Sequence, residues 1–131
     1  MSSPISLEGK RLLVTGSARG LGRAFAEAMI AAGAKVMVAD ILTEEGQATA
    51  DAIGAGFVHL DLIDPESVEA CMEATVSELG GLDGLVNNGA IATDIGGPAM
   101  TEIDIDVWDR VITVNVRGTW LMSKAAVPHL A

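Results

Sequence analysis

Eight residues early in the chain, Thr15-Gly16-Ser17-Ala18-Arg19-Gly20-Leu21-Gly22, have the composition of an anion-binding turn. Glycines there permit a tight turn, let a pyrophosphate approach the backbone and allow a helix to pack closely on a sheet. A helix that starts at such a turn offers free N–H groups and the positive end of its dipole to an anion. The spacing is G-x-x-x-G-x-G, and a glycine cluster by itself also suits a plain structural turn. Asp40 lies 18 residues past Gly22. At that offset an acidic side chain can accept hydrogen bonds from the hydroxyls of an adenosine ribose. A 2′-phosphate beside it would meet like charge, at a cost on the order of several kcal/mol, which favours NAD over NADP. Arg19 argues the other way, because a guanidinium at that position could pair with a phosphate. Asp40 also suits a loop-edge acid or a helix cap.

The other reactive side chains have plainer readings. Asn115 falls on a stripe with Val111, Gly118 and Met122, and an amide on an apolar stripe must find partners. A satisfied core asparagine would meet that demand. His59 alternates with Phe57 and Asp61 on one strand face and reads as a packed histidine. His129 sits in a last helical turn, where a cation suits the negative dipole end. Two distant histidines and the single cysteine, Cys71, do not make a metal site. Cys71 lies on the core stripe of its helix and reads as an inert packing residue.

Short β-rich runs alternate with longer helical ones. Arg11 to Gly16, Lys35 to Asp40, Gly56 to Asp61 and Leu82 to Asn88 read as strands. Gly20 to Ala32 reads as a helix with Leu21, Ala24, Phe25, Ala28, Met29 and Ala32 on its apolar face. Thr43 to Ile53 is a second helix with Thr43 as its expected N-cap. Asp64 should cap a third, with Pro65 in its first turn and Val68, Cys71, Met72, Val76 and Leu79 on one face. Glu66, Glu69 and Glu73 form its solvated face, and Gly80-Gly81 ends it. A loop of small residues, Gly89 to Met100, leads to one long helix from about Asp104 to His129. Strands that alternate with helices in this way imply parallel pairing through right-handed crossovers, hence an α/β doubly wound sheet.

Composition narrows the function classes. The 131 residues suit one domain. Eight Lys+Arg against 18 Asp+Glu give a net charge of −10, which repels nucleic-acid backbones and anionic lipid. Half of the residues are hydrophobic, which excludes disorder. No run reaches the ~18 apolar residues needed to span a bilayer, and the first residues lack a signal-peptide layout, so a cytoplasmic protein is expected. There is no tyrosine, so a mechanism with a tyrosine acid or base cannot be completed by these residues alone.

The ordered motifs resemble the N-terminal half of a short-chain dehydrogenase/reductase. The segment Thr15 to Gly22 matches that family's T-G-x-x-x-G-x-G fingerprint. Asp61-Leu62 resembles its adenine-contacting pair. Asn87-Asn88-Gly89-Ala90 stands where the family usually has Asn-Asn-Ala-Gly, with the last two residues exchanged. Asn115, in Val114-Asn115-Val116-Arg117-Gly118, matches the helix asparagine of the catalytic tetrad. The match runs from about Leu7 to Ala131. The resemblance implies a Rossmann-type fold over residues 1–131, here its first four strands in the order 3-2-1-4. It implies cofactor contacts from Gly16, Ser17, Arg19, Gly20, Leu21, Asp40, Asp61, Leu62 and Asn87. It places Asn115 at a local helix distortion, where it orders a water of the proton relay. The family's catalytic serine and its Tyr-x-x-x-Lys are expected beyond these residues, in the remaining half of the enzyme.

The function expected from this resemblance is NAD-dependent hydride transfer between nicotinamide and a secondary alcohol or ketone. A homodimer or homotetramer through the last helix is also implied. The chain alone is expected to be inactive. The alternatives are a non-catalytic dinucleotide-binding module, or a half-domain that assembles through its last helix. The loop from Ile91 to Met100, with Thr93 and Asp94 as its polar residues, should border the substrate pocket.

Overall fold

In the computed structural model the described residues are 5–91 and 97–130. Thr93 and Asp94 of the expected pocket border lie outside them. Four parallel strands form one sheet: β1 (Arg11–Thr15), β2 (Lys35–Asp40), β3 (Gly56–His59) and β4 (Gly84–Val86), in the order β3-β2-β1-β4. Leu13 of β1 pairs with Met37 of β2 and Leu85 of β4, and Asp40 pairs with His59. The crossover helices are α1 (Gly20–Ala31), α2 (Thr43–Ile53) and α3 (Pro65–Leu79), and the result is a Rossmann-type doubly wound fold.

Strand pleating divides the core into two layers. Leu13, Met37 and Ala39 face Val68, Cys71, Met72 and Met122 on one side of the sheet. Val14 and Val36 face Ala26 and Ala34 on the other. Sheet strands covered on both faces read as near-continuous apolar runs, which is why β1 and β2 are legible from composition alone.

The helix α1 buries Gly22 and Ala26, while Leu21 is 70% exposed and Phe25 is exposed as well. The expected Leu21–Phe25 face is therefore corrected by about one residue's rotation. Gly22 dictates the choice, because a Cβ there would run into the Gly16 carbonyl and lie 2.6 Å from Asn88 Nδ2. Only a glycine lets the helix lie this close to the turn. Thr43 is not the cap of α2: the N-cap is Leu42, and the Thr43 hydroxyl shares a 3.0 Å hydrogen bond with His59 Nδ1. His59 is exposed and bonded there, which corrects its reading as a packed histidine. Asp64 does cap α3, its Oδ1 accepting from the Glu66 N–H at 3.0 Å. Gly80 closes that helix at φ +81°, a conformation that suits glycine.

The expected helix from Asp104 to His129 is divided, and the division falls at Asn115, where the resemblance places a local distortion. A helix α4 (Ile105–Ile112) runs into a π turn over Thr113–Arg117, and α5 (Gly118–Ala126) continues to a 3-10 turn, Val127–His129. Asp104 caps α4 through a 2.8 Å bond from the Asp106 N–H. Met122 is buried in the core layer against the sheet and Val114 is buried beside the groove, whereas Trp108, Val116 and Trp120 are exposed. Among the described residues no helix is long and apolar enough to cross a membrane.

Candidate cofactor groove

The C-terminal ends of the four strands open onto a groove of about 740 Å³. It lies where the chain order reverses across the sheet: the first crossovers step from β1 towards β3, and the next returns to β4. Gly16, Arg19 and Leu21 line it from the first turn, Asp40 to Leu42 from the end of β2, and Leu60 to Ile63 from the end of β3. Asn88 to Ile91, Arg110 and Val114 close the opposite side.

The glycine turn is braced from inside. Gly16 adopts φ +64°, and a Cβ on it would lie 2.8 Å from Gly89 Cα. The Ser17 hydroxyl donates to the Val14 carbonyl at 2.7 Å and accepts from the Ala39 N–H at 3.2 Å. Ser17 is fully buried, and its own N–H donates to the Ala39 carbonyl. Its polar atoms thus hold β1 to β2 and do not line the groove. Arg19 occupies the N-cap of α1 with no side-chain cap, so the first N–H groups of the helix have no side-chain acceptor. Gly20, at φ +63°, has no heavy atom within 4 Å of where a Cβ would sit, so this approach is open. An uncapped helix N-terminus behind an open glycine turn fits a pyrophosphate.

Asp40 is fixed by backbone donors. Its Oδ2 accepts from the Ala18 N–H and its Oδ1 from the Leu42 N–H, each at 3.0 Å. A carboxylate has about four acceptor positions, so two stay available to a ribose diol. Of the plainer readings, Asp40 is a loop-edge acid and caps neither α1 nor α2, and this anchoring is compatible with a ribose role. The Arg19 guanidinium, on the outer side, lies 3.9 Å from Glu45 in an exposed pair. Asp61 accepts from the Ile63 N–H at 3.0 Å, and Leu62 packs between Gly89 and Gly118.

The wall after β4 rests on Thr15, Asn88 and Asn115. Thr15 Oγ1 accepts from the N–H groups of Asn88 at 3.0 Å and Gly89 at 2.8 Å. Asn88 Nδ2 donates to the Gly16 carbonyl at 3.1 Å, tying this loop to the glycine turn. Asn115, inside the π turn, accepts from the Ile91 N–H at 2.7 Å and donates to the Ile91 carbonyl at 3.0 Å. Asn87 turns away from the groove, donating to the Ser123 hydroxyl at 3.1 Å. Of the residues singled out from sequence, Gly16, Arg19, Leu21, Asp40, Asp61 and Leu62 converge on the groove. Gly20 flanks it, Asn115 supports it through Ile91, and the side chains of Ser17 and Asn87 do not reach it. Sequence reasoning gave no role to Thr15, Ile41, Ile63 or Arg110; for Thr15 the signal was its fixed place before Gly16.

Among the described residues, no group of three or more His, Cys, Asp and Glu side chains could hold a metal. Cys71 is fully buried in the core layer of Leu13, Met37 and Met122, and burial pushes its thiol up to about 11.

A family model described as short chain dehydrogenase matches residues 10–131. The sorbitol dehydrogenase of Cereibacter sphaeroides is 44% identical over 121 residues, covering 91% of this chain and 46% of that protein. The crystal structure of a 3-ketoacyl-(acyl-carrier-protein) reductase from Brucella melitensis complexed with NADH superposes with a TM-score of 0.91 at 35% identity, over 95% of this chain and 51% of the other. A short chain dehydrogenase from Burkholderia cenocepacia J2315 in complex with NADP superposes with a TM-score of 0.83, also at 35% identity, over 95% of this chain and 52% of the other. The chain thus spans about half the length of the curated relatives it matches.

Proposed function

The chain belongs to the short-chain dehydrogenase family, and from that premise we propose that it is the cofactor-binding half of an NAD-dependent oxidoreductase. Its reaction is hydride transfer between the nicotinamide and a secondary alcohol or ketone. The nicotinamide supplies the hydride chemistry when bound. The residues of this chain bind and orient it. The uncapped start of α1 and the turn at Gly16 and Gly20 take the pyrophosphate. Asp40 takes the ribose diol and repels a 2′-phosphate. Asp61 and Leu62 border the base, and Asn115 sets the backbone of Ile91 at the nicotinamide end of the groove.

The observation that carries this reading is the meeting of an uncapped helix N-terminus and a backbone-anchored carboxylate in one groove. The pairing of a relative bound to NADH with another bound to NADP supports a nicotinamide dinucleotide. The choice between them is argued from Asp40. Titration of the protein with NADH and NADPH tests it: NADH should bind more tightly.

A second reading is a dinucleotide-binding module without catalysis, since an uncapped helix N-terminus and an anchored carboxylate suffice for binding alone. The two differ in the material a cell makes. A Tyr-x-x-x-Lys segment in the purified material, on the same polypeptide or on one that copurifies, supports the enzyme. NADH binding with no such segment and no alcohol oxidation supports the module. For the enzyme, a small alcohol or ketone, a homo-oligomeric assembly through α5 and a cytoplasmic setting complete the proposal.

A further inference from the structure

Arg110 lines the groove, yet among the described residues it has no ion pair and no side-chain hydrogen bond. That is unusual company in a chain of net charge −10. Its position along the groove follows from its neighbours. Arg110, Val114, Arg117 and Gly118 fall at helical spacing, and this stripe runs against the end of β3. Arg117 donates to the Ile63 carbonyl at 3.1 Å, and a Cβ on Gly118 would lie 2.9 Å from Leu62 Cβ. Arg117 is thus already engaged, while Arg110, two turns earlier, stays over the open groove. Ile63, which lines the same groove, is 43% exposed, and Ile41 beside Asp40 is 57% exposed. Exposed isoleucines at one end of a groove are informative, because a flat apolar ligand part would cover them.

We propose that Arg110 is a positioning residue for the purine base, its guanidinium plane lying against the face of the ring that the isoleucines leave open. This rests on the dinucleotide reading above. The phosphates have a separate place, at the start of α1 beside Gly16 and Gly20. The β3 end is two strands away from that turn in the sheet order. An arginine lies flat on an aromatic face, and a lysine replaces it there only in part, since the ammonium is a strongly hydrated point charge without a plane.

The test compares Arg110→Ala and Arg110→Lys with the unmodified protein, each purified in the form in which its cell makes it, with the substitution introduced at its own gene. Calorimetric titrations use ADP-ribose, which carries the base, and reduced nicotinamide mononucleotide, which does not. Arg110→Ala is expected to weaken ADP-ribose roughly three- to tenfold and to leave the mononucleotide unchanged. Arg110→Lys should restore the loss only in part. Equal losses for both ligands, no loss for either, or full rescue by lysine would each overturn the base contact; the last would assign Arg110 a charge role towards phosphate. Failure of the unmodified protein to bind ADP-ribose at all would instead overturn the dinucleotide reading itself.

Discussion

Asn115 closes a two-bond clamp on the backbone of Ile91, 24 residues earlier in the chain. Its Oδ1 takes the Ile91 N–H and its Nδ2 gives to the Ile91 carbonyl, so one amide satisfies both polar groups of a single peptide residue. The clamp sits in the π turn between α4 and α5. It joins the helix that follows the groove to the loop that forms its wall.

Replacement of Asn115 by Ala should therefore loosen the wall. Two half-buried backbone groups would lose their partners, at a cost of about 1–3 kcal/mol. Asn115→Asp should also destabilise, because a carboxylate keeps the acceptor for the Ile91 N–H but opposes the Ile91 carbonyl with negative charge. Urea denaturation measures the cost. Amide exchange at Ile91 locates it, and unchanged protection there in the Ala variant would exclude the clamp as the cause.

Gly16 and Gly20 share a left-handed backbone, at φ +64° and +63°, but not their surroundings. A Cβ at Gly16 would lie 2.8 Å from Gly89 Cα, and one at Gly20 would meet nothing within 4 Å. Both alanine variants carry the left-handed penalty, about 1–2 kcal/mol. Only Gly16→Ala must also push the β4 loop away. Its loss of stability and of NADH affinity should exceed that of Gly20→Ala, and Gly16→Val should abolish binding. Near-normal affinity of Gly16→Val by calorimetry would make the turn a purely structural one.

Away from the groove, Arg11 ties the start of β1 to the residue before β4. Its Nε and Nη2 donate to the two Asp83 oxygens at 3.0 and 3.2 Å, and Nη1 donates to the Gly80 carbonyl at 2.8 Å. These side-chain bonds, with the Arg11 N–H bond, hold the Asp83 carboxyl down at about 2. A carboxyl depressed in the folded state stabilises it fully above the unfolded value near 3.8. The contribution fades as pH falls from there towards about 2, because the unfolded chain takes up the proton first. Asp83→Asn should flatten the acid limb of a stability-versus-pH curve across that window. An unchanged limb in urea melts would show that the pair contributes nothing there.

Cys71 should resist thiol reagents in the native state. It is fully buried, and burial raises its thiol to about 11, so almost no thiolate exists at neutral pH. At pH 7.5 a chromogenic disulfide should leave Cys71 unmodified in folded protein and modify it after denaturation. Rapid labelling of the native protein would contradict the buried α3 face.

The sheet was legible because β1 and β2 are buried on both faces and their apolar runs admit no other reading. The Asp64 cap was legible for a similar reason: cap and Pro65 are local signals. The face of α1 was not. The spacing of Leu21 and Phe25 points to a helix, but the close approach at Gly22 sets its rotation, and that contact is tertiary. Spacing alone did not show the break in the last helix, since the side-chain clamp to Ile91 lies 24 residues away in sequence; the family resemblance did place a local distortion at Asn115, where the π turn lies. In the groove, glycine spacing and the offset to Asp40 identified the turn and the β2 end. They could not show that the Ser17 hydroxyl faces inward or that Asn87 reaches Ser123, because motif position leaves rotamer choice open.

The most direct test of the account is a pair of equilibrium titrations, NADH and NADPH, into the unmodified protein, repeated with Asp40→Ala. The account predicts at least about tenfold tighter binding of NADH, from like-charge repulsion between Asp40 and a 2′-phosphate. It also predicts a narrowed ratio in the variant. Both affinities should fall somewhat there, because Asp40 also anchors the Ala18 and Leu42 N–H groups, so the ratio is the deciding quantity. Equal or tighter binding of NADPH to the unmodified protein would contradict it and transfer the cofactor choice to Arg19.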